Sequence, residues 1–196
     1  CLWHLTHKDN IQSILEHGIL NHDDARGLFV KPVDISDQGA QRWREMAEPC
    51  YHRKIHEYAS LYINPRNPML FLRQDKQREL CLIEVSLSVM FESEYLITDG
   101  NAASAASGKT QIFKSVNDIN KLPWDVLNSM YWDDHNEGKR KMCAEVLIYP
   151  QVMLKHIGVI HCSSKTTLNT LENCGHEVKL SDKLFFLGQY NGYKNT

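Results

Sequence analysis

Lys141-Met142-Cys143-Ala144-Glu145-Val146-Leu147-Ile148-Tyr149 is the stretch on which the fold turns. Its apolar run, Ala144–Tyr149, reads as a core strand. Side chains alternate along a strand, so Cys143, Glu145, Leu147 and Tyr149 share one face. One carboxylate therefore sits in the middle of an apolar segment. A carboxylate is costly to bury without partners. Two readings follow. In one, the strand is half-exposed and Glu145 faces water. In the other, the fold holds Glu145 rigidly to orient a substrate hydroxyl or to activate a nucleophile.

Working outward, Ile157–Cys162 reads as a second central strand and Leu80–Val85 as a strand buried on both faces. Leu2–Thr6, Leu61–Ile63 and Tyr95–Thr98 read as shorter strands, and Glu177–Leu180 with Leu184–Phe186 as a last pair. Ile11, Ile14, Leu15 and Ile19 recur at helical spacing over residues 9–20. Asp9 or Asn10 can cap that helix, and Gly18 can end it. Further helices are expected around 38–48 and over 116–131 and 164–174. The rest of 22–58 reads as a long polar loop, a feature more often functional than not. Strands and helices do not alternate strictly, so the class is α+β rather than a doubly wound parallel sheet. No linker or repeat interrupts the chain, which is read as one domain over residues 1–196.

Composition narrows the function classes. The chain has 196 residues, a formal net charge of -2 and 42% hydrophobic residues. A chain that is no polycation must bind nucleic acid, if at all, through a local basic patch. Cysteines at 1, 50, 81, 143, 162 and 174 form no C-x-x-C pair. That disfavours a zinc knuckle or a thioredoxin-like site. Cys81 and Cys143 lie in apolar runs, as expected of reduced thiols in a cytosolic protein. No stretch reads as a membrane span or a signal peptide. A P-loop, a dinucleotide glycine fingerprint, a Gly-x-Ser-x-Gly elbow and a Cys/His nucleophile arrangement are all missing.

Four further segments carry polar groups in suggestive order. Trp3-His4-Leu5-Thr6-His7 offers a polar wall, or is an ordinary strand with incidental histidines. Tyr62-Ile-Asn64-Pro65-Arg66-Asn67-Pro68-Met69 is a proline-stiffened turn that presents an arginine and two asparagines. Such groups suit phosphates or base edges, although a plain surface turn has the same composition. Thr98-Asp99-Gly100-Asn101, followed by small residues, allows close backbone approach to a ligand, and also suits a flexible loop. Gly138-Lys139-Arg140-Lys141 attracts phosphates or is a solvated charge run. His52 and His56 have the spacing of a helical zinc pair, but the glutamate of the zincin pattern is missing and no metal is expected.

In this order, Trp3–His7 with Asn10, the His56-Glu-Tyr to Met69 segment, Thr98–Asn101 and Met142–Ile148 together resemble the DarT family of DNA-targeting ADP-ribosyltransferase toxins. The resemblance runs from the start of the chain to about residue 162. It implies an ADP-ribosyltransferase fold, with a split two-sheet β core and helices around a NAD⁺ cleft. It implies transfer of ADP-ribose from NAD⁺, as co-substrate, to a base in single-stranded DNA. Glu145 falls on the family's essential glutamate. Arg44, with Arg42 as the alternative, falls on the arginine that contacts NAD⁺. His4 and Thr6 fall in the nicotinamide pocket, and Asn10 and Tyr62 join the cofactor side. Arg66, Met69, Asn101, Lys139 and Arg140 are the residues expected to hold DNA. The Leu-Tyr-Ile-Asn and Thr-Asp-Gly-Asn variants favour guanine over thymine. The resemblance also implies a monomeric bacterial toxin with a macrodomain-type antitoxin. Rival readings are an ADP-ribosyltransferase for RNA or protein, a non-catalytic single-strand binding module, and a metal nuclease built on His52, His56, Asp133 and Asp134.

Overall fold

The computed structural model describes residues 1–29 and 31–187. Eight strands form one sheet: β1 Leu2–His7, β2 Ala59–Tyr62, β3 Leu80–Val85, β4 Glu94–Thr98, β5 Ile112–Phe113, β6 Glu145–Tyr149, β7 Ile157–Cys162 and β8 Val178–Leu180. Short helices surround it: α1 Ile11–His17, α2 His22–Gly27, α3 Gln38–Arg44, α4 Pro68–Phe71, α5 Val89–Glu92, α6 Trp124–Leu127, α7 Gly138–Lys141 and α8 Lys165–Leu171. The strand order is β5-β4-β6-β2-β1-β3-β7-β8. Neighbours are antiparallel except β7 and β8, which run parallel.

The order explains where a cleft can form. β1 pairs with β3 along its whole length, and β2 with β6 along its whole length. Between them, β1 and β2 share a single register pair, Trp3 with Tyr62. The sheet is thus split into two well-paired halves joined at a narrow seam. Beyond that pair β1 and β2 share no further register partners.

β3 and β7 are mostly apolar because both strands are interior, and their polar exceptions, Glu84 and His161, bond each other at 2.8 Å. Leu80, Leu82, Ile83, Val85, Ile160 and Cys162 are fully buried. α1 ends at Gly18, whose φ of +81° suits glycine; a Cβ there would meet Val152 O at 2.3 Å.

The structure corrects several sequence expectations. The segment 22–37 is not all loop, since Asn21 caps α2 by accepting from Asp24 N–H. The helix expected over 116–131 is broken at Pro123, which separates a 3-10 segment, Val116–Lys121, from α6. Leu184–Phe186 is not a strand. Asp182–Leu184 form a 3-10 turn, and the Phe186 ring packs edge-on against Phe71 and Trp132. β5 was not foreseen, because two residues are too short to show an alternation. The one-domain reading of 1–196 includes Val30 and residues 188–196, which lie outside the described residues. Among the described residues no helix is long and apolar enough to cross a membrane.

Candidate active site

Glu145 opens β6, opposite Tyr62 of β2. It does not face water, being 1% exposed. Its carboxylate takes two hydrogen bonds from Arg44 Nη2, at 2.7 and 2.8 Å, and one from the Ala102 backbone N–H at 3.0 Å. Thr98 braces its backbone. The Glu145 N–H donates to Thr98 Oγ1 at 3.0 Å, and the Thr98 hydroxyl donates to Gly100 O at 2.7 Å. The cost of burying the charge is offset by an opposite charge and oriented donors.

Arg44 is the last residue of α3 and reaches the seam of the sheet. Its Nη1 donates to Ser60 Oγ at 2.9 Å. Burial works against the guanidinium charge, but Glu145 more than compensates, and the Arg44 pKa is raised. Two positions along a helix turn a side chain by about 200°. Only one of Arg42 and Arg44 can therefore face the cleft. It is Arg44; Arg42 is exposed.

α3 is held by neighbours. Asp37 caps it by accepting from Ala40 N–H at 3.0 Å. Behind it, buried His56 bonds Glu45 Oε1 at 2.8 Å and also bonds Gln41 Oε1. The His22 ring stacks on His56 at 4.2 Å. His22, Asp23 and His56 bring possible ligand atoms within 4.8 Å of one another. However, the two rings are within 21° of parallel. Their in-plane lone pairs then run side by side rather than toward one point, a geometry that favours stacking over chelation. His52, exposed and in the left-handed region at φ +60°, is not part of this group.

The seam opens into a cleft of about 720 Å³. Its wall includes His4, Thr6, Tyr62, Met69 and Asn101 as well as Arg44. His4 is partly buried. Burial lowers its pKa to about 4, only partly offset by its hydrogen bond to Ser60 O. The ring is neutral at ordinary pH, and the contact at 3.3 Å places the proton on Nδ1. Nε2 is then left as an acceptor. Burial also raises the Tyr62 pKa, with Glu145 and Cys143 adding to the effect, so the phenol stays protonated. Cys143, pushed up to about 12 by burial and then by Glu145, stays a thiol. The chemistry on offer is one fixed carboxylate, one guanidinium, one neutral imidazole and one phenol.

Other expected residues are engaged elsewhere. Arg66 donates from Nη1 to Lys183 O at 2.8 Å and Phe185 O at 2.9 Å, and its guanidinium lies over the Phe186 ring. It fastens residues 183–186. Arg140 donates to Asp99 Oδ1 at 3.0 Å and pairs with Glu137, while its carbonyl accepts from Asn101 N–H at 2.9 Å. Gly100 passes so close that a Cβ would meet Arg140 O at 2.9 Å. Arg140 is thus a brace for the loop that supports Glu145. Lys139 remains solvent-exposed, 3.9 Å from Asp133. Asn101 caps its own turn by accepting from Ala103 N–H at 2.9 Å. Ser60, Thr98 and Ala102 were not singled out as site residues. Only Thr98 had a signal, as the first residue of Thr98-Asp-Gly-Asn. A second cavity of about 810 Å³, between Lys8, Arg78 and Lys165, includes none of the seam residues.

Residues 3–185 match the family model described as DarT, ssDNA thymidine ADP-ribosyltransferase. The chain belongs to the DarT family. A DNA ADP-ribosyl transferase–DNA ADP-ribosyl glycohydrolase fusion protein of Thermosipho africanus is 32% identical over 176 residues, covering 87% of this chain and 44% of the relative. The chain thus spans less than half of that fusion protein. The DarT of Thermus sp. 2.9 in complex with ADP-ribosylated ssDNA superposes with a TM-score of 0.84 at 20% identity, covering 94% of this chain and 95% of the other. The same protein in complex with NAD⁺ superposes with a TM-score of 0.78 at 19% identity, covering 94% and 96%. The split sheet and its helices are therefore the DarT fold, and the family is one of DNA ADP-ribosyltransferases.

Proposed function

We propose that this chain transfers ADP-ribose from NAD⁺ to a base of single-stranded DNA in the cleft at the β1–β2 seam. The observation that carries this reading is the Arg44–Glu145 pair, buried at the seam beside a neutral His4. The cleft volume of about 720 Å³ suits a dinucleotide. That Thermus DarT has been captured with NAD⁺ and with ADP-ribosylated ssDNA supports the choice of substrates.

Cleaving the nicotinamide–ribose bond builds positive charge on the ribose, as in glycoside hydrolysis. A carboxylate fixed by three hydrogen bonds can face that charge without reorganising. Glu145 bonds a ribose hydroxyl and takes the proton from the attacking base nitrogen. Arg44 turns part of its guanidinium to the pyrophosphate. His4 Nε2 and Thr6 orient the nicotinamide end. The target base enters unstacked, which makes a single strand the cheaper acceptor.

For the acceptor base, the family description names thymidine, whereas the sequence motifs favoured guanine. A general base would serve thymine, whose free ring nitrogen is an imide N–H, and equally guanine, whose N1 is a lactam N–H. The family description therefore makes thymine the first base to test and guanine the second. The Thermosipho fusion supports a glycohydrolase partner that reverses the modification, in a toxin–antitoxin arrangement.

The deciding assay incubates the chain with labelled NAD⁺ and separate DNA, RNA and protein pools, and measures nicotinamide. Label on single-stranded DNA with stoichiometric nicotinamide is expected, and mass spectrometry of the oligonucleotide identifies the base. Label confined to RNA or protein would replace the substrate. No label and no nicotinamide would overturn the enzyme reading.

A further inference from the structure

Asn10 was expected to touch the dinucleotide and does line the cleft, but its amide already holds three hydrogen bonds within the protein. Nδ2 donates to Thr6 Oγ1 at 3.1 Å and to Val33 O at 3.0 Å, and Oδ1 accepts from Val33 N–H at 2.8 Å. The amide thus pairs with both backbone groups of one residue, as a neighbouring strand would. Asn10 is 9% exposed, whereas Val33 is 42% exposed.

Val33 belongs to the segment 31–37, all of which lines the cleft. The segment has little else to hold it. It contains no helix or strand. Ile35 is only partly buried against the core, and its carbonyl accepts from Arg73 Nε. Arg73 also donates to Met69 O at 3.2 Å, tying the segment to α4. The segment then runs into Asp37, the cap of α3, and α3 ends on Arg44.

We propose that Asn10 is a positioning residue for NAD⁺. It acts through Val33, by holding the segment 31–37 as a preformed wall of the cleft, and not through a contact of its own with the dinucleotide. The inference rests on the reading of this cleft as the NAD⁺ site. A preformed wall removes ordering cost from binding, so the effect falls mainly on NAD⁺ affinity. The sequence hides this role, because the Asn10–Val33 bond spans 23 positions.

The test is a double-variant cycle read by NAD⁺ titration of the full chain, with KM and kcat measured alongside. Asn10→Ala removes both Val33 bonds and the bond to Thr6. Val33→Pro removes one, by deleting the N–H, and leaves Asn10 in place at an exposed position. Asn10→Ala is expected to weaken NAD⁺ about tenfold, and Val33→Pro by less. KM should rise more than kcat falls. The combined variant should bind no more weakly than Asn10→Ala alone, because both changes break the same link. Unchanged affinity in Asn10→Ala, with wild type binding NAD⁺ normally, overturns the inference and leaves the cleft reading intact. Additive losses also overturn it, since they assign Asn10 a route that bypasses Val33, through Thr6 or through a contact of its own. Should the wild type itself fail to bind NAD⁺, the cleft reading goes and this inference with it. If Asn10→Ala does not fold, unchanged affinity in Val33→Pro overturns the inference alone.

Discussion

Two regions of this molecule present arginine beside carbonyl or carboxylate oxygens, and they do different things. At the β1–β2 seam, Arg44 lines an open cleft and holds the buried Glu145. Away from the seam, Arg66 and Arg140 are wrapped by backbone carbonyls and carboxylates that hold loops in place. In sequence both regions look like ligand-binding clusters. All three guanidiniums are bonded to the scaffold, so bonding alone does not tell them apart. The difference teaches that a charge is offered to a ligand only where a cavity lies in front of it, as it does at Arg44.

The sharpest way to break this contrast is at Glu145. Glu145→Gln keeps the shape and removes the charge, so transfer to single-stranded DNA should fall by about 10²–10⁴. The measurement is label incorporated from NAD⁺ per minute, and a Gln variant with near-normal rate would remove the proposed general base. Arg44 comes next. Arg44→Ala strands a carboxylate that is 1% exposed, and should cost about 3–5 kcal/mol of stability as well as activity. Arg42→Ala, on the opposite side of the same helix, should stay within about 0.5 kcal/mol of wild type. Denaturant unfolding of both variants checks the pair.

The outer region gives the complementary test. Arg66→Ala should lower stability by about 1–3 kcal/mol, because two carbonyls and the Phe186 ring lose their partner. The salt dependence of oligonucleotide binding should not change. Lys139→Ala should do the reverse, flattening the salt slope by about one unit with no loss of stability. If Arg66→Ala changes the slope and not the thermal midpoint, the division between scaffold and surface arginines fails.

The smallest effect concerns pH. His4 has its pKa lowered from 6.5 to about 4 by burial. Below about pH 6.5 the unfolded chain takes up this proton before the folded one does. The stability held at neutral pH by a neutral His4 is therefore lost progressively as pH falls from about 6.5 toward 4. Comparing thermal midpoints of wild type and His4→Gln across that range isolates the contribution, and identical profiles would remove it.

Much of the strand framework was legible. Leu80–Val85 and Ile157–Cys162 were bounded correctly, because interior strands are rich in apolar residues and polar residues flank their ends. The helix over 116–131 was misread because Pro123 breaks a periodicity that otherwise continues. Leu184–Phe186 was misread because three apolar residues can cover an aromatic cluster as well as extend a sheet. At the site, the residue types were visible, and so was the ambiguity between Arg42 and Arg44. The engagement of Asn10, Arg66 and Arg140 was not, since their partners lie far along the chain.

The sequence by itself determined the α+β class, the strand that carries Glu145 and the family to which the chain belongs. Those properties are written in local periodicity and in short motifs kept in order. Only the tertiary structure decided that Glu145 is buried against Arg44, 101 positions away, and that Arg66 and Arg140 belong to the scaffold. Side-chain alternation is fixed by neighbouring residues along one strand. Which donors meet which acceptors depends on distances that exist only once the sheet has closed around its seam.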